Sequence, residues 1–137
     1  MKKNLINGLY YLAMLGLIIW FSYSKGWIFA NFKNIDAQQA ITLLKNDNNI
    51  SLLDVRTVEE YKRGHLADAI LIPVEHLSKN LGMLKKVKNT KILVYCRSGS
   101  RSVSASRILA KNGFTPLNIE GGMIQLIAKG AKPISSP

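Results

Sequence analysis

From Asn4 to Ser24 the chain carries no charged residue, and Leu5–Tyr23 within that run is almost wholly apolar. Nineteen residues in a helix rise about 28 Å, close to the roughly 30 Å of bilayer hydrocarbon. Trp20, Phe21, Tyr23, Trp27 and Phe29 crowd the far end, as an interfacial aromatic belt does. The run is expected to be a retained single-pass anchor in a cell membrane, touching lipid through residues 5–23. The competing reading is a cleaved secretory signal with Ser22-Tyr23-Ser24 as its cleavage site. Against it stand the length of the run and the bulky aromatics where a signal core tapers. Orientation is left open, because Lys2, Lys3 and the amino terminus on one side face Lys25, Lys33 and Lys45 on the other. The rest of the chain, roughly 105 residues, suffices for one domain with an ordinary core. The expected division is residues 1–33 as anchor and connector and 34–137 as a single domain.

Charge and cysteine usage narrow the chemistry. The chain has a net charge of +11; from Asn34 onward 15 Lys and Arg face 8 Asp and Glu, a balance of +7. Such a surface favours anionic lipid or an anionic substrate. No basic-aromatic face or binding motif points to nucleic acid, and no nucleic-acid partner is expected. Lys79, Lys85, Lys86, Lys88 and Lys91 read as a solvated face, with lipid headgroups as the alternative contact. A single cysteine forms no internal disulfide and no cysteine-based zinc site. His65 and His76 do not complete a metal site, so neither metal nor cofactor is expected.

Periodicity gives the order of elements. Asp36-Ala37-Gln38-Gln39 has the form of a capping box, and Ala37, Ala40, Ile41 and Leu44 continue it as an amphipathic helix to about Asn46. Trp27–Ile35 reads as a connector. Ile50–Val55 reads as a strand, Thr57–Lys62 as a capped helix stopping at Gly64, and Ala69–Ile72 as a strand closed by Pro73. Leu77 to about Val87 reads as a basic helix, and Leu117–Ile119 as a last strand. A turn at Glu120-Gly121-Gly122 and a helix from Met123 to about Lys129 come next, with a frayed tail from Gly130. The alternation implies an α/β fold, a mostly parallel sheet flanked by helices on both faces.

The chemistry concentrates at Ile92-Leu93-Val94-Tyr95-Cys96-Arg97-Ser98-Gly99-Ser100-Arg101. A β-branched apolar run reads as a buried strand ending at Cys96, and a helix from about Ser100 to Asn112 succeeds a small-residue loop. A thiol is thereby set at the carboxyl edge of the sheet, where ligands of open α/β sheets bind. Free N–H groups and the positive end of a helix converge there, and Arg97 and Arg101 add two full charges. All three effects favour thiolate over thiol and make Cys96 a nucleophile rather than a small buried hydrophobe.

Three separated stretches together resemble the single-domain rhodaneses, the thiosulfate sulfurtransferases. They are Asp54-Val55-Arg56-Thr57-Val58-Glu59-Glu60-Tyr61-Lys62-Arg63-Gly64-His65-Leu66 continuing to Ile72-Pro73, the loop Cys96–Ser102, and Gly113-Phe114 with Glu120-Gly121-Gly122-Met123. Val58 stands where the family often has proline, and Leu126 near where it usually has tryptophan. The resemblance implies a rhodanese-like fold and a six-residue loop, Cys96 through Arg101, whose amides surround a sulfur. Related cysteine phosphatases use the longer Cys-x5-Arg loop for phosphate, so the shorter cradle suits a single sulfur atom better.

The implied reaction is attack by Cys96 on the outer sulfur of thiosulfate, leaving a persulfide that cyanide or a thiol then discharges. Ser98, Gly99, Ser100 and Arg101 are expected to stabilise the terminal sulfur through their N–H groups. Arg97 is expected to clamp the oxyanion, and Asp54 and Arg56 to brace the loop. His65 reads as a packed turn residue, and Glu59 and Glu60 as part of a helix start. The alternative function is a membrane-tethered persulfide relay with a protein sulfur donor or acceptor and little small-molecule turnover. A persulfide survives more easily in a reducing compartment, which favours a cytoplasmic face for the domain.

Overall fold

The computed structural model describes residues 1–136 and divides the chain into two units, Met1–Ala30 and Asn31–Pro137. In the first unit, helix α1 (Lys2–Ser24) buries none of its side chains within the protein. It is long and apolar enough to cross a membrane. Its end is fixed locally: Trp27 N–H donates to Ser22 O at 2.9 Å and the Trp27 ring meets Phe21 edge-on at 5.7 Å.

The second unit is a five-stranded parallel sheet in the order β1-β5-β4-β2-β3. Its strands are β1 (Lys33–Ile35), β2 (Ile50–Asp54), β3 (Ile70–Leu71), β4 (Lys91–Tyr95) and β5 (Thr115–Ile119). Helices α2 (Ala37–Asn46), α3 (Val58–Arg63), α4 (Ser100–Lys111) and α5 (Gly122–Ala128) accompany them. The expected α/β architecture is what the chain adopts. Side chains of β4 alternate across the sheet, as a pleated strand buried on both faces must. Leu93 and Tyr95 join Ala40, Ile119 and Leu126 on one face, while Ile92, Val94 and Cys96 join Leu53, Ala105 and Leu109 on the other. Leu126, near the family's usual tryptophan position, is wholly buried in the first of these layers.

Asp36 and Thr57 begin α2 and α3 with complete capping boxes, as the sequence pattern predicts. Chain leaving β2 goes outward to the β3 edge, and chain leaving β4 goes to β5 on the opposite side. The carboxyl ends of β2 and β4 therefore border the crevice where the winding reverses, the place such sheets hold ligands.

Four local readings are corrected. Part of the supposed connector, Lys33–Ile35, is an edge strand paired with Leu117–Ile119; three residues with one buried side chain are too short for period-2 patterning to show. The stretch read as a helix over 77–87 is instead a turn followed by a 3-10 segment, Leu81–Val87, with a further 3-10 turn, Val74–His76, just before it; Asn80 and Gly82 interrupt any longer α-helical repeat. Strand β5 starts two residues earlier than expected and contains Pro116, at a level that the β1 pairing does not reach. The tail is tied down rather than frayed: His65 and Ile134 exchange two backbone hydrogen bonds of 2.8 Å, and Ser136 N–H donates to Lys62 O at 3.1 Å.

Candidate active site

Strand β4 delivers Cys96 to the sheet's carboxyl edge, with 1% of the residue exposed. Its Sγ accepts the Gly99 N–H at 3.0 Å and lies 3.6 Å from Ser102 Oγ, which itself donates to Gly99 O at 3.1 Å. Gly99 has φ +112°, a conformation that suits glycine and lets the loop fold back over the sulfur.

The start of α5 orients the loop. Met123 N–H donates to Cys96 O at 2.8 Å and Ile124 N–H to Arg97 O at 3.2 Å. Two otherwise orphaned helix N–H groups are thus satisfied. The peptide bonds of the described residues are trans, so drawing these carbonyls toward α5 turns the Arg97 and Ser98 N–H groups the opposite way. Gly122 makes the approach possible. A Cβ there would lie 2.4 Å from Cys96 O and 2.7 Å from Arg97 C and O, at φ +56°. The Gly-Gly turn, read from the sequence as a turn within one of the three resembling stretches, is therefore part of the site.

The supporting charges sit on β2 and α3. Asp54, fully buried, receives Arg56 Nε and Nη2 at 2.7–3.1 Å, and Arg56 Nη2 also donates to Gly64 O at 2.6 Å. Burial works to lower the Arg56 pKa, and the Asp54 carboxylate overrides it, leaving the guanidinium firmly charged. Tyr95 lies beneath, its ring 5.5 Å from Arg56 Cζ and its hydroxyl accepting Leu66 N–H at 3.2 Å. Burial, then the charge of Asp54, pushes the Tyr95 phenol upward, keeping it neutral.

Arg101 engages its guanidinium with a carboxylate of α3. Its Nη1 and Nη2 donate to Glu60 Oε1 and Oε2 at 2.6 and 3.0 Å. Glu60 is held down to about 2, first by the hydrogen bond from Arg101 and against the opposing effect of burial. The same Oε1 accepts Thr57 Oγ1–H at 3.2 Å, so one carboxylate both caps α3 and clamps the first turn of α4. The capping pattern conceals that second task. Ser102 is a sulfur neighbour that sequence reasoning misses, and its spacing from Cys96 is the only sequence signal for it. Arg97, Ser98 and Ser100 are exposed around the mouth. His65 is packed, its Nδ1 2.8 Å from Tyr61 O and its ring stacked on Tyr61 at 3.7 Å.

A cysteine at the tip of a central parallel strand, in a short loop closing on a helix, defines a class of α/β proteins built around a single thiol. The rhodanese-like domain family matches residues 36–129, and the chain belongs to that family. A sulfurtransferase of Allochromatium vinosum is 31% identical over 104 residues, covering 75% of this chain and 94% of that one. The tRNA uridine(34) hydroxylase of Buchnera aphidicola is 36% identical over 98 residues, 68% of this chain but 31% of that protein. Several relatives are thus spanned only in part, between 27% and 42% of their length. A crystal structure of a rhodanese-like domain protein from Staphylococcus aureus superposes with a TM-score of 0.67 at 31% identity. It covers 76% of this chain and 100% of that one.

Proposed function

We propose that the protein is a sulfurtransferase held at a membrane by α1, which carries sulfane sulfur on Cys96. The Cys96 thiolate attacks the outer sulfur of thiosulfate. The sulfur–sulfur bond of the donor breaks, sulfite leaves with the electron pair, and Cys96 retains a persulfide with a negative terminal sulfur. Cyanide or a thiolate then attacks that terminal sulfur, and the Cys96 thiolate is regenerated. No proton acceptor is needed, consistent with His65 being engaged with Tyr61. The observation that carries the reading is the Gly99 N–H at 3.0 Å from Sγ in a loop whose Cys96 and Arg97 carbonyls are drawn off to α5. An inward-facing set of amides stabilises an anionic sulfur as an oxyanion hole stabilises oxygen. With Arg101 engaged by Glu60, exposed Arg97 is the residue available to clamp the sulfonate end of the donor.

The test is intact-mass spectrometry after exposure to thiosulfate. Gain of one sulfur on Cys96, lost on adding cyanide with release of thiocyanate and absent in Cys96→Ser, is the expected result. A Cys96 that takes sulfur from no donor refutes the proposal.

A further inference from the structure

The charges of the domain are sorted along the strand direction. In a parallel sheet every strand starts at one edge, and the segments linking the strands return there. That amino edge carries Lys91, the first residue of β4, in register with Ile50 and Thr115, the first residues of β2 and β5. Lys85, Lys86 and Lys88 come just before it, and Lys45 and Lys111 lie in the last turns of α2 and α4. All of these lysines are exposed, and none enters an ion pair among the described residues. Of the 8 acidic residues in the chain, Asp47 and Asp68 lie toward this edge. The others belong to the opposite, carboxyl edge, which holds Cys96. Asp36, Asp54 and Glu120 end strands or directly follow them, Glu59 and Glu60 open α3, and Glu75 follows β3.

The chain also enters the domain at this edge, where Asn31, Phe32 and Lys33 line one groove with Lys91 and Thr115. From Ser24, the end of α1, to Asn31 it can span at most about 25 Å. We propose that the lysine-rich amino edge rests on anionic phospholipid headgroups, with the Cys96 loop facing away from the leaflet. This rests on the membrane-anchored part of the functional reading. A leash so short keeps headgroups at high effective concentration, and each lysine brought to an anionic leaflet multiplies partitioning about fivefold. The length of β4 sets Cys96 about 16 Å from Lys91. That exceeds the roughly 8 Å over which physiological salt screens the leaflet's charge. An anionic sulfur donor therefore reaches the thiol without repulsion from the lipid.

The test uses the full chain in nanodiscs of phosphatidylcholine, alone or mixed equally with phosphatidylglycerol. Acetylation of each lysine by a neutral amine-reactive ester is followed by mass spectrometry at low and high salt. On the anionic discs Lys85, Lys88, Lys91 and Lys111 are expected to react about fivefold more slowly than on the neutral ones. High salt is expected to remove the difference, and iodoacetamide alkylation of Cys96 to stay within about twofold between the two discs. Lys85→Glu, Lys86→Glu and Lys91→Glu combined, all at exposed positions, are expected to restore Lys111 reactivity on anionic discs and to leave thiosulfate turnover on neutral discs unchanged. Equal lysine reactivity of the wild type on the two discs overturns the docking surface, whether or not the protein stays with the discs at high salt, which is all the anchor requires. Protection on anionic discs at low salt, in protein that high salt strips from both discs, sustains the surface and removes the anchor instead. Protection of these lysines by bulk transfer RNA but not by anionic discs assigns the edge to nucleic acid and overturns the proposal.

Discussion

Replacing Glu60 by Gln tests whether one carboxylate couples α3 to the reactive loop. The amide keeps the shape and can still accept from Thr57, but it loses the charge and presents an NH2 group to one of the two Arg101 N–H donors at 2.6 and 3.0 Å. Charge-assisted, bidentate pairs of this kind contribute about 1.5–3 kcal/mol when desolvated and at most about 1 kcal/mol when fully exposed. Here the side chains are 33% and 24% exposed, which places the expected loss at about 1–2 kcal/mol. Thermal unfolding followed by near-ultraviolet circular dichroism should then move down by about 5–10 °C at pH 7. The pH dependence gives the sharper criterion. Glu60 is lowered from 4.5 to about 2 in the folded protein, so its stabilisation is complete above the unfolded value and disappears as pH falls through the folded one. The gap between wild type and Glu60→Gln should be steady from pH 7 to 5 and shrink by roughly half by pH 3. A gap that is absent at pH 7, or unchanged between pH 5 and pH 3, would refute the coupling.

Two further substitutions, with a third as a control, probe the frame of the site. Gly122→Ala places a methyl group 2.4 Å from Cys96 O at a positive φ, and a loss of about 2–4 kcal/mol in urea unfolding is expected. Gly130→Ala, with φ +103° but open space around it, should lose only about 1 kcal/mol, so equal effects would contradict the steric argument. Asp54→Asn leaves the Arg56 guanidinium buried without its anion, and a loss of about 3–5 kcal/mol in the same assay is expected; a stable variant would show that the pair is dispensable.

Much of the fold is legible in the sequence because it rests on local signals. The capping residues Asp36 and Thr57 and the apolar run Ile92–Tyr95 announce their elements within a few residues. The failures share a different origin. Strand β1 exists only through its pairing with β5, and the tail is ordered only through His65, partners far away along the chain. The site divides in the same way. Cys96 and its loop are evident from composition and order. The Arg101–Glu60 pair joins positions 41 residues apart, and the contact of Gly122 with Cys96 O requires a helix to pack on a loop. No periodicity within either segment encodes such contacts.

The Cys96 and Arg97 carbonyls owe their direction to backbone hydrogen bonds from α5, not to any side chain of the loop. Architecture and reactivity can therefore be varied separately. Replacing the exposed side chains of Arg97, Ser98 and Ser100 leaves those backbone bonds intact, whereas Gly122 has no room for a Cβ beside Cys96 O. For anyone redesigning this loop, its exposed mouth is the region open to a library and the Gly-Gly turn is the region to leave alone.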